Sequence, residues 1–367
     1  MTALARKYRP KTMKDLLGQD TLMRVLGAAI EHKRLSQAYI LTGIRGVGKT
    51  TTARIIARSL NCQNGPTLTP CGTCDSCKAM DSDSSMDVIE VDAASNNGIE
   101  HIREIISNVS YAPMTPGSRK IYIIDEAHML SNSAWNGLLK TLEEPPEHVM
   151  FIFATTEERK IPATISSRCQ TLRLGRIDVE HISGNIETIC KAENVSIEDT
   201  AKDLIARAAG GSMRDGLSIL DQAISAEPKG VTTDSVMKML GRAGRLDIGQ
   251  LTIKMAQGDI EAVLASWQDF MKAGYEPVQL LEDVATWIHQ AHMTIVAPSY
   301  LTALGFPEAE NKMAVTLSKQ APGGAFQGCG HYLLDAITTA NSAPSPALAV
   351  EMALVRATAK FASLNKK

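Results

Sequence analysis

The sequence predicts an α/β half built on a parallel five-stranded sheet, followed by an all-α half, and three observations carry the prediction. Short apolar, β-rich runs alternate with helical patterns up to about residue 175, which is how helices come to flank a parallel sheet. A glycine-rich turn of phosphate-binding form sits between the first run and the first strong helical stretch. Further on, the strand signal fades and apolar residues recur at spacings of three and four, as on helices.

The five strand runs are Ala38 to Thr42, Val88 to Val91, Lys120 to Ile124, Val149 to Ala154 and Gln170 to Leu174. The helical patterns Ala201 to Ala209 and Met213 to Ile224 then predict a small helical domain. From about residue 243, two apolar stripes are expected to face a core: Leu280, Leu281, Val284, Ile288 and Ile295, then Leu348, Met352 and Val355. The alternative is that part of this surface packs against neighbouring subunits. Pro344-Ser345-Pro346 marks a turn before the last helix, and Lys366-Lys367 leaves open whether a longer tail follows. The expected domains are residues 1–177, 178–242 and 243–367.

At 367 residues the chain is longer than one core sustains. Its 44% apolar and 21% charged residues exclude a largely disordered protein. No run approaches the roughly 18 apolar residues of a membrane span, and Met1 to Pro10 lacks the apolar stretch of a secretory signal. A cytoplasmic location without a membrane partner is expected. The net charge of -2 gives no global footprint for nucleic acid, so any DNA contact must be local.

Gly43-Ile44-Arg45-Gly46-Val47-Gly48-Lys49-Thr50 has the form G-x-x-x-x-G-K-[ST], after a strand and before the helical run Thr51 to Ser59. The glycines let backbone N–H groups converge on phosphate oxygens at a helix N-terminus. Lys49 then reaches the β and γ phosphates, and Thr50 holds Mg²⁺. Asp125-Glu126-Ala127-His128 closes the third strand run, which places two carboxylates beside that loop. Asp125 is expected to bind Mg²⁺ through water and Glu126 to polarise an attacking water. Hydrolysis of a nucleoside triphosphate is the most economical chemistry.

Four of the seven cysteines, Cys62, Cys71, Cys74 and Cys77, crowd into sixteen residues. That spacing suits a closed tetrahedral zinc site in a reducing compartment better than a disulfide framework or an iron–sulfur cluster. Gly65, Pro66 and Pro70 make the chain between them a loop that needs a metal to hold it. Cys169, Cys190 and Cys329 are scattered and read as buried thiols.

Further segments narrow the class. Phe151 to Thr156 is a strand ending in two hydroxyls, Ser166-Ser167-Arg168-Cys169 follows, and Gly210 to Asp215 opens a helix with Ser212 as its cap. Together with Ala5 to Pro10, Leu17-Gly18-Gln19, Asp92 to Asn97, Gly137 to Pro146 and the cysteine insertion, they resemble the gamma/tau family of bacterial clamp-loader AAA+ ATPases. The motifs cover residues 1 to about 240; the remainder matches in helical character and in Leu348 to Arg356.

The resemblance implies an AAA+ ATPase domain over 1–177 with the zinc insertion at 62–77, a lid over 178–242 and an oligomerising collar over 243–367. It makes Thr156 the sensor 1 residue and Arg214 the sensor 2 arginine contacting nucleotide from the lid. Arg168 becomes the finger reaching a neighbouring subunit's site, where such an arginine neutralises charge on the transferring phosphoryl group. Arg9 and Pro10 stand on the adenine side, and Gly43, Gly46, Val47, Gly48, Lys49, Thr50, Thr51 and Asp125 hold ATP with Mg²⁺. Implied partners are other loader subunits in a pentameric ring, the sliding clamp and primer-template DNA, with polymerase core or replicative helicase only through a longer tail. Arg103 and Lys140 are candidates for phosphate-backbone contacts. Two rivals remain: a helicase, since Asp-Glu-Ala-His is also one helicase group's signature, and a scaffold that binds ATP without turnover.

Overall fold

The computed structural model describes residues 3–32, 34–240, 244–299 and 308–364. The chain forms two compact units, Met1–Thr232 and Thr233–Lys367. The boundary expected at 242/243 and the Lys366-Lys367 pair lie outside the described residues.

The first unit opens with α1 (Leu4–Lys7) and α2 (Asp20–Glu31), then continues β1 (Ala38–Thr42), α3 (Lys49–Asn61), α4 (Asp75–Asp81), β2 (Val88–Asp92), α5 (Ile99–Val109), β3 (Lys120–Asp125), α6 (Asn132–Glu143), β4 (Val149–Thr155), α7 (Ala163–Ser166) and β5 (Gln170–Arg173). The five strands are all parallel, in the order β2-β3-β4-β1-β5. β1 and β4 are buried along their whole length, as their unbroken apolar sequences require of central parallel strands. Thr42 lies beside Thr155 in register, and Ile124 beside Phe153. The end of β4 is thereby inserted between the phosphate loop and the acidic pair after β3.

One face of the sheet is covered by α5 and α6, whose Ile102, Ile105, Ala134, Trp135 and Leu138 pack on Tyr122, Ile124, Phe151 and Phe153. The Trp135 and Phe153 rings lie 5.2 Å apart. Ser131 starts α6 by accepting the Ala134 N–H at 3.2 Å. Leu138 and Leu142 then face inward while Lys140 and Glu143 stay exposed, as the helical spacing predicts. Arg103 is exposed as well.

The unit continues with α8 (Val179–Glu193), β6 (Ser196–Ile197), α9 (Asp199–Ala208), α10 (Met213–Ala226) and β7 (Gly230–Val231). β6 and β7 pair in parallel. Strands of two residues carry no periodicity, so the sequence reading passes over them.

The described residues of the second unit are helical: α11 (Thr233–Met239), α12 (Arg245–Gln257), α13 (Ile260–Lys272), α14 (Pro277–Val296), α15 (Glu308–Ser318), α16 (Gly323–Ser342) and α17 (Pro346–Leu364). Leu280, Leu281, Val284 and Ile288 enter the core, but Ile295, beyond the last buried turn of α14, is 44% exposed. The second expected stripe is also corrected. Leu348 and Met352 are 57% and 47% exposed and Val355 is half-buried, whereas Val350, Ala353, Leu354, Ala357 and Phe361 face the core. Two apolar stripes run along α17, and spacing alone cannot choose between them. Among the described residues no helix is long and apolar enough to cross a membrane.

Candidate functional site

The turn from β1 into α3 rests on two glycines with positive φ, 74° at Gly46 and 105° at Gly48. Gly46 also allows a close approach, because a Cβ there would lie 2.0 Å from Ser212 Oγ. Lys49, 6% exposed, donates from Nζ to the carbonyls of Gly43 (3.0 Å) and Ile44 (2.9 Å). Burial pulls its pKa below the usual lysine value, and the charges of Glu126 and Asp125 work against that. Thr50 Oγ1 donates to Asp125 Oδ2 at 2.6 Å. These two oxygens are a fitting pair for Mg²⁺, a cation that prefers hard oxygen ligands.

Asp125 Oδ1 accepts the Glu126 N–H at 3.0 Å. Glu126 itself adopts a left-handed backbone (φ 47°, ψ 42°), a strained conformation for a residue with a side chain. Its carboxylate lies 3.5 Å from Thr156 Oγ1 and 3.5 Å from His128 Nδ1. The two hydroxyls ending β4 divide their work. Thr155 is fully buried, its Oγ1 3.1 Å from His128 Nδ1 and accepting the Glu157 N–H at 3.0 Å, while Thr156 turns its hydroxyl to Glu126.

Across the loop, Ser212 caps α10 by accepting the Asp215 N–H at 3.2 Å, and the Arg214 N–H donates to Gly46 O at 3.3 Å. A cavity here is lined by Gly46 to Thr51, Asp125, Glu126 and Arg214 together with Arg9, Pro10, Leu17, Ile177, Met213 and Leu217. The lining thus combines the glycine-rich loop, Lys49 and two carboxylates with the apolar side chains of Leu17, Ile177, Met213 and Leu217. Burial lowers the Arg9 pKa, the nearby Arg54 charge adds to this and Glu90 opposes it. The N-terminal segment is tied down by Glu193 of α8, which pairs with Lys7 at 2.6 Å and accepts from the Tyr8 hydroxyl. The Gln19 amide bonds the Gly175 backbone in both directions, at 3.0 and 3.1 Å.

The four clustered cysteines also meet. Their sulfurs all lie within 4.8 Å of one another, near the edge length of about 3.8 Å that Zn–S bonds of about 2.3 Å imply for a tetrahedron. The sulfurs behave as acceptors, since the Cys71 N–H points at Cys62 Sγ and the Cys74 N–H at Cys71 Sγ, each at 3.3 Å. The Thr73 and Cys74 N–H groups draw the Cys71 thiol down to about 6, while burial pushes Cys77 up to about 12 against the Arg58 guanidinium beside it. A donor set of four thiols with converging N–H groups fits a structural zinc.

Three family descriptions match consecutive stretches of the chain: "DNA polymerase III, delta subunit" over 18–178, "DNA polymerase III clamp loader subunit, ATPase lid domain" over 181–227, and "DNA polymerase III subunits gamma and tau domain III" over 231–367. The DNA polymerase III subunit gamma of Buchnera aphidicola subsp. Schizaphis graminum is 35% identical over 96% of this chain and 97% of its own. The chain belongs to the DNA polymerase III gamma/tau family.

Subunit tau of Escherichia coli is 41% identical over 97% of this chain, and subunit tau of Bacillus subtilis 40% over 88%. The chain spans 55% and 57% of those two relatives, about half their length. Among solved structures, the Thermotoga maritima RuvB Holliday junction branch migration motor covers 71% of this chain and 85% of its own at 21% identity and a TM-score of 0.49, a likeness too slight to bear on function.

Within this gamma/tau chain, Arg9, Pro10, Gly46, Val47, Gly48, Lys49, Thr50, Thr51, Asp125, Glu126 and Arg214 all line the cavity. Gly43 supports it through Lys49, and Thr156 reaches it through Glu126. Arg168 stands apart, on the surface, its guanidinium 2.6 Å from Glu143 and 2.6 Å from Thr164 O. Ile177, Met213 and Leu217 were not singled out in the sequence, because isolated apolar residues at the start of a helical region carry no ligand signal. Burial pushes Cys190 and Cys329 up to about 11 and Cys169 to about 12, in keeping with inert thiols.

Proposed function

We propose that this chain is the ATP-hydrolysing motor of a bacterial clamp loader, in which ATP binding and hydrolysis drive loading of a sliding clamp onto primer-template DNA. The observation that carries this reading is the convergence of Lys49, Thr50, Asp125, Glu126 and the start of α10 on one cavity. The domains are an ATPase domain over 1–177, a lid over 178–242 and a collar over 243–367, acting in the cytoplasm within a pentameric ring.

The chain's residues divide the reaction among them. Loop N–H groups and Lys49 hold the β and γ phosphates, and the apolar lining with Arg9 and Pro10 takes the base. Glu126 orients a water for in-line attack on the γ phosphorus and draws off its proton, with Thr156 steadying the carboxylate. The bond to the β-phosphate oxygen breaks, leaving ADP and inorganic phosphate. Thr50 and Asp125 would hold Mg²⁺, which would supply charge neutralisation at the phosphate oxygens. Arg214 couples the lid to the nucleotide, and Arg168 serves a neighbouring subunit's site. Zinc at the four cysteines is structural.

The test is ATP hydrolysis in the assembled loader, with primed DNA and clamp added together and separately, for the native chain and Arg168→Ala. Stimulation that needs both additions and falls by about 10³ in the mutant is expected. Hydrolysis indifferent to the clamp with strand separation favours a helicase, and ATP bound without turnover favours a scaffold.

A further inference from the structure

The C-terminal end of α4 carries two carboxylates that the proposed chemistry does not use. α4 starts at Cys74 as its N-cap and contains Cys77, so two of the four thiols fix this helix. At its other end Asp81 takes Arg58 bidentately, at 2.8 and 3.1 Å, together with Lys11 at 3.2 Å. Asp83, held in a left-handed turn (φ 54°), takes Arg54 at 2.6 Å and Arg6 at 3.6 Å. Arg54 and Arg58 belong to α3, the helix that begins with Lys49 and Thr50. Arg6 and Lys11 flank Arg9 and Pro10 in the N-terminal segment, where Arg6, Arg9 and Pro10 form the cavity's N-terminal wall. Each acid therefore joins a cation of the phosphate-binding helix to a cation of the N-terminal segment.

Single surface pairs of this kind contribute little. Here two acceptors are each shared by two cations, Arg58 is only 8% exposed and Arg54 is held in place by Glu90 at 2.6 Å as well, so the two acids link α3 to the N-terminal segment through α4. We propose that metal binding at the cysteines and nucleotide binding in the cavity are positively coupled, with Asp81 and Asp83 as positioning residues that transmit the coupling. Metal orders α4 and so presents both acids, and nucleotide seats the wall and so presents both cations. Each event spares the other part of its ordering cost. Linkage makes the effect reciprocal: the factor by which metal raises nucleotide affinity equals that by which nucleotide raises metal affinity.

The inference rests on the reading that the cavity takes ATP and the thiols take zinc, so both are measured directly on the full chain, by zinc content and by equilibrium titration with a non-hydrolysable ATP analogue and Mg²⁺. The deciding measurement is zinc transfer to a chromogenic chelator with and without saturating analogue. In the native chain the analogue is expected to strengthen zinc retention roughly fivefold, near the lower bound of typical couplings. Asp81→Asn/Asp83→Asn should keep its zinc, bind the analogue roughly fivefold more weakly and lose the effect of analogue on zinc release. Asp81→Glu/Asp83→Glu should restore part of it. Native zinc release unchanged by the analogue, or coupling unchanged in the double Asn variant, overturns the proposal. A chain that binds no zinc or no analogue overturns the functional reading along with it.

Discussion

The nucleotide cavity and the cysteine loop are both clusters of polar side chains, but they are built in opposite ways. Lys49, Thr50, Asp125 and Glu126 sit where β1, β3 and α3 begin or end: Lys49 donates to loop carbonyls, and Asp125 accepts from the Thr50 hydroxyl and the Glu126 N–H. Residues 62–74, which hold three of the four thiols, have no regular secondary structure, so the proposed zinc would hold this loop together. Chemistry that depends on sub-ångström placement is put on the rigid part of the fold. The proposed zinc would supply rigidity where the fold has none.

Three substitutions test that contrast. Glu126→Gln should lower turnover by about 10² to 10⁴ with ATP affinity nearly unchanged, read by phosphate release beside equilibrium binding. An equal loss in both would show that Glu126 serves the cavity's structure rather than the reacting water. Arg58→Met keeps the apolar stem but leaves Asp81 without its bidentate partner, and should destabilise the cysteine module by about 1–3 kcal/mol, discounted because Asp81 is partly exposed. Chelator challenge would show earlier zinc loss, and hydrogen exchange should leave the amides of β1, β3 and β4 protected. Exchange that rises across the sheet would mean the two regions are not separately built. Smallest, Ser212→Ala removes the cap of α10 and should cost about 1 kcal/mol, seen in the unfolding midpoint. An unshifted midpoint would mean that packing against Gly46 alone seats this helix.

Much of this was readable in the chain. The five strands fall within one residue of their expected runs; β1, β3 and β4 are legible because buried parallel strands are continuous in hydrophobicity, while β2 and β5 are part-exposed edge strands. The phosphate loop and the four cysteines carry their spacing in the sequence. What stayed hidden depends on contacts between distant segments. Trp135 reads as one aromatic on an amphipathic helix until its ring meets Phe153. The resemblance singles out Thr156, but only the fold shows Thr155 buried against His128 and Thr156 turned to Glu126. Asp81 and Asp83 are ordinary acids in a polar stretch, and only the fold brings four cations to them. On α17, two apolar stripes compete and only packing chooses.

The Arg168–Glu143 pair sets a threshold for the proposed finger. Both side chains are partly exposed, 33% and 49%, and pairs of that kind contribute about 0.2–1 kcal/mol, so the tethered form is favoured over the free one by a factor of roughly 1.4 to 5. The same guanidinium also donates to Thr164 O at 2.6 Å, so the proposed finger has to leave both contacts to reach the γ phosphate of an adjoining subunit. Glu143 closes α6, the helix that also carries Lys140, so a polyanion drawn to that helix would alter the field around the tether. A contact on one subunit would in this way change how readily its arginine leaves for the next.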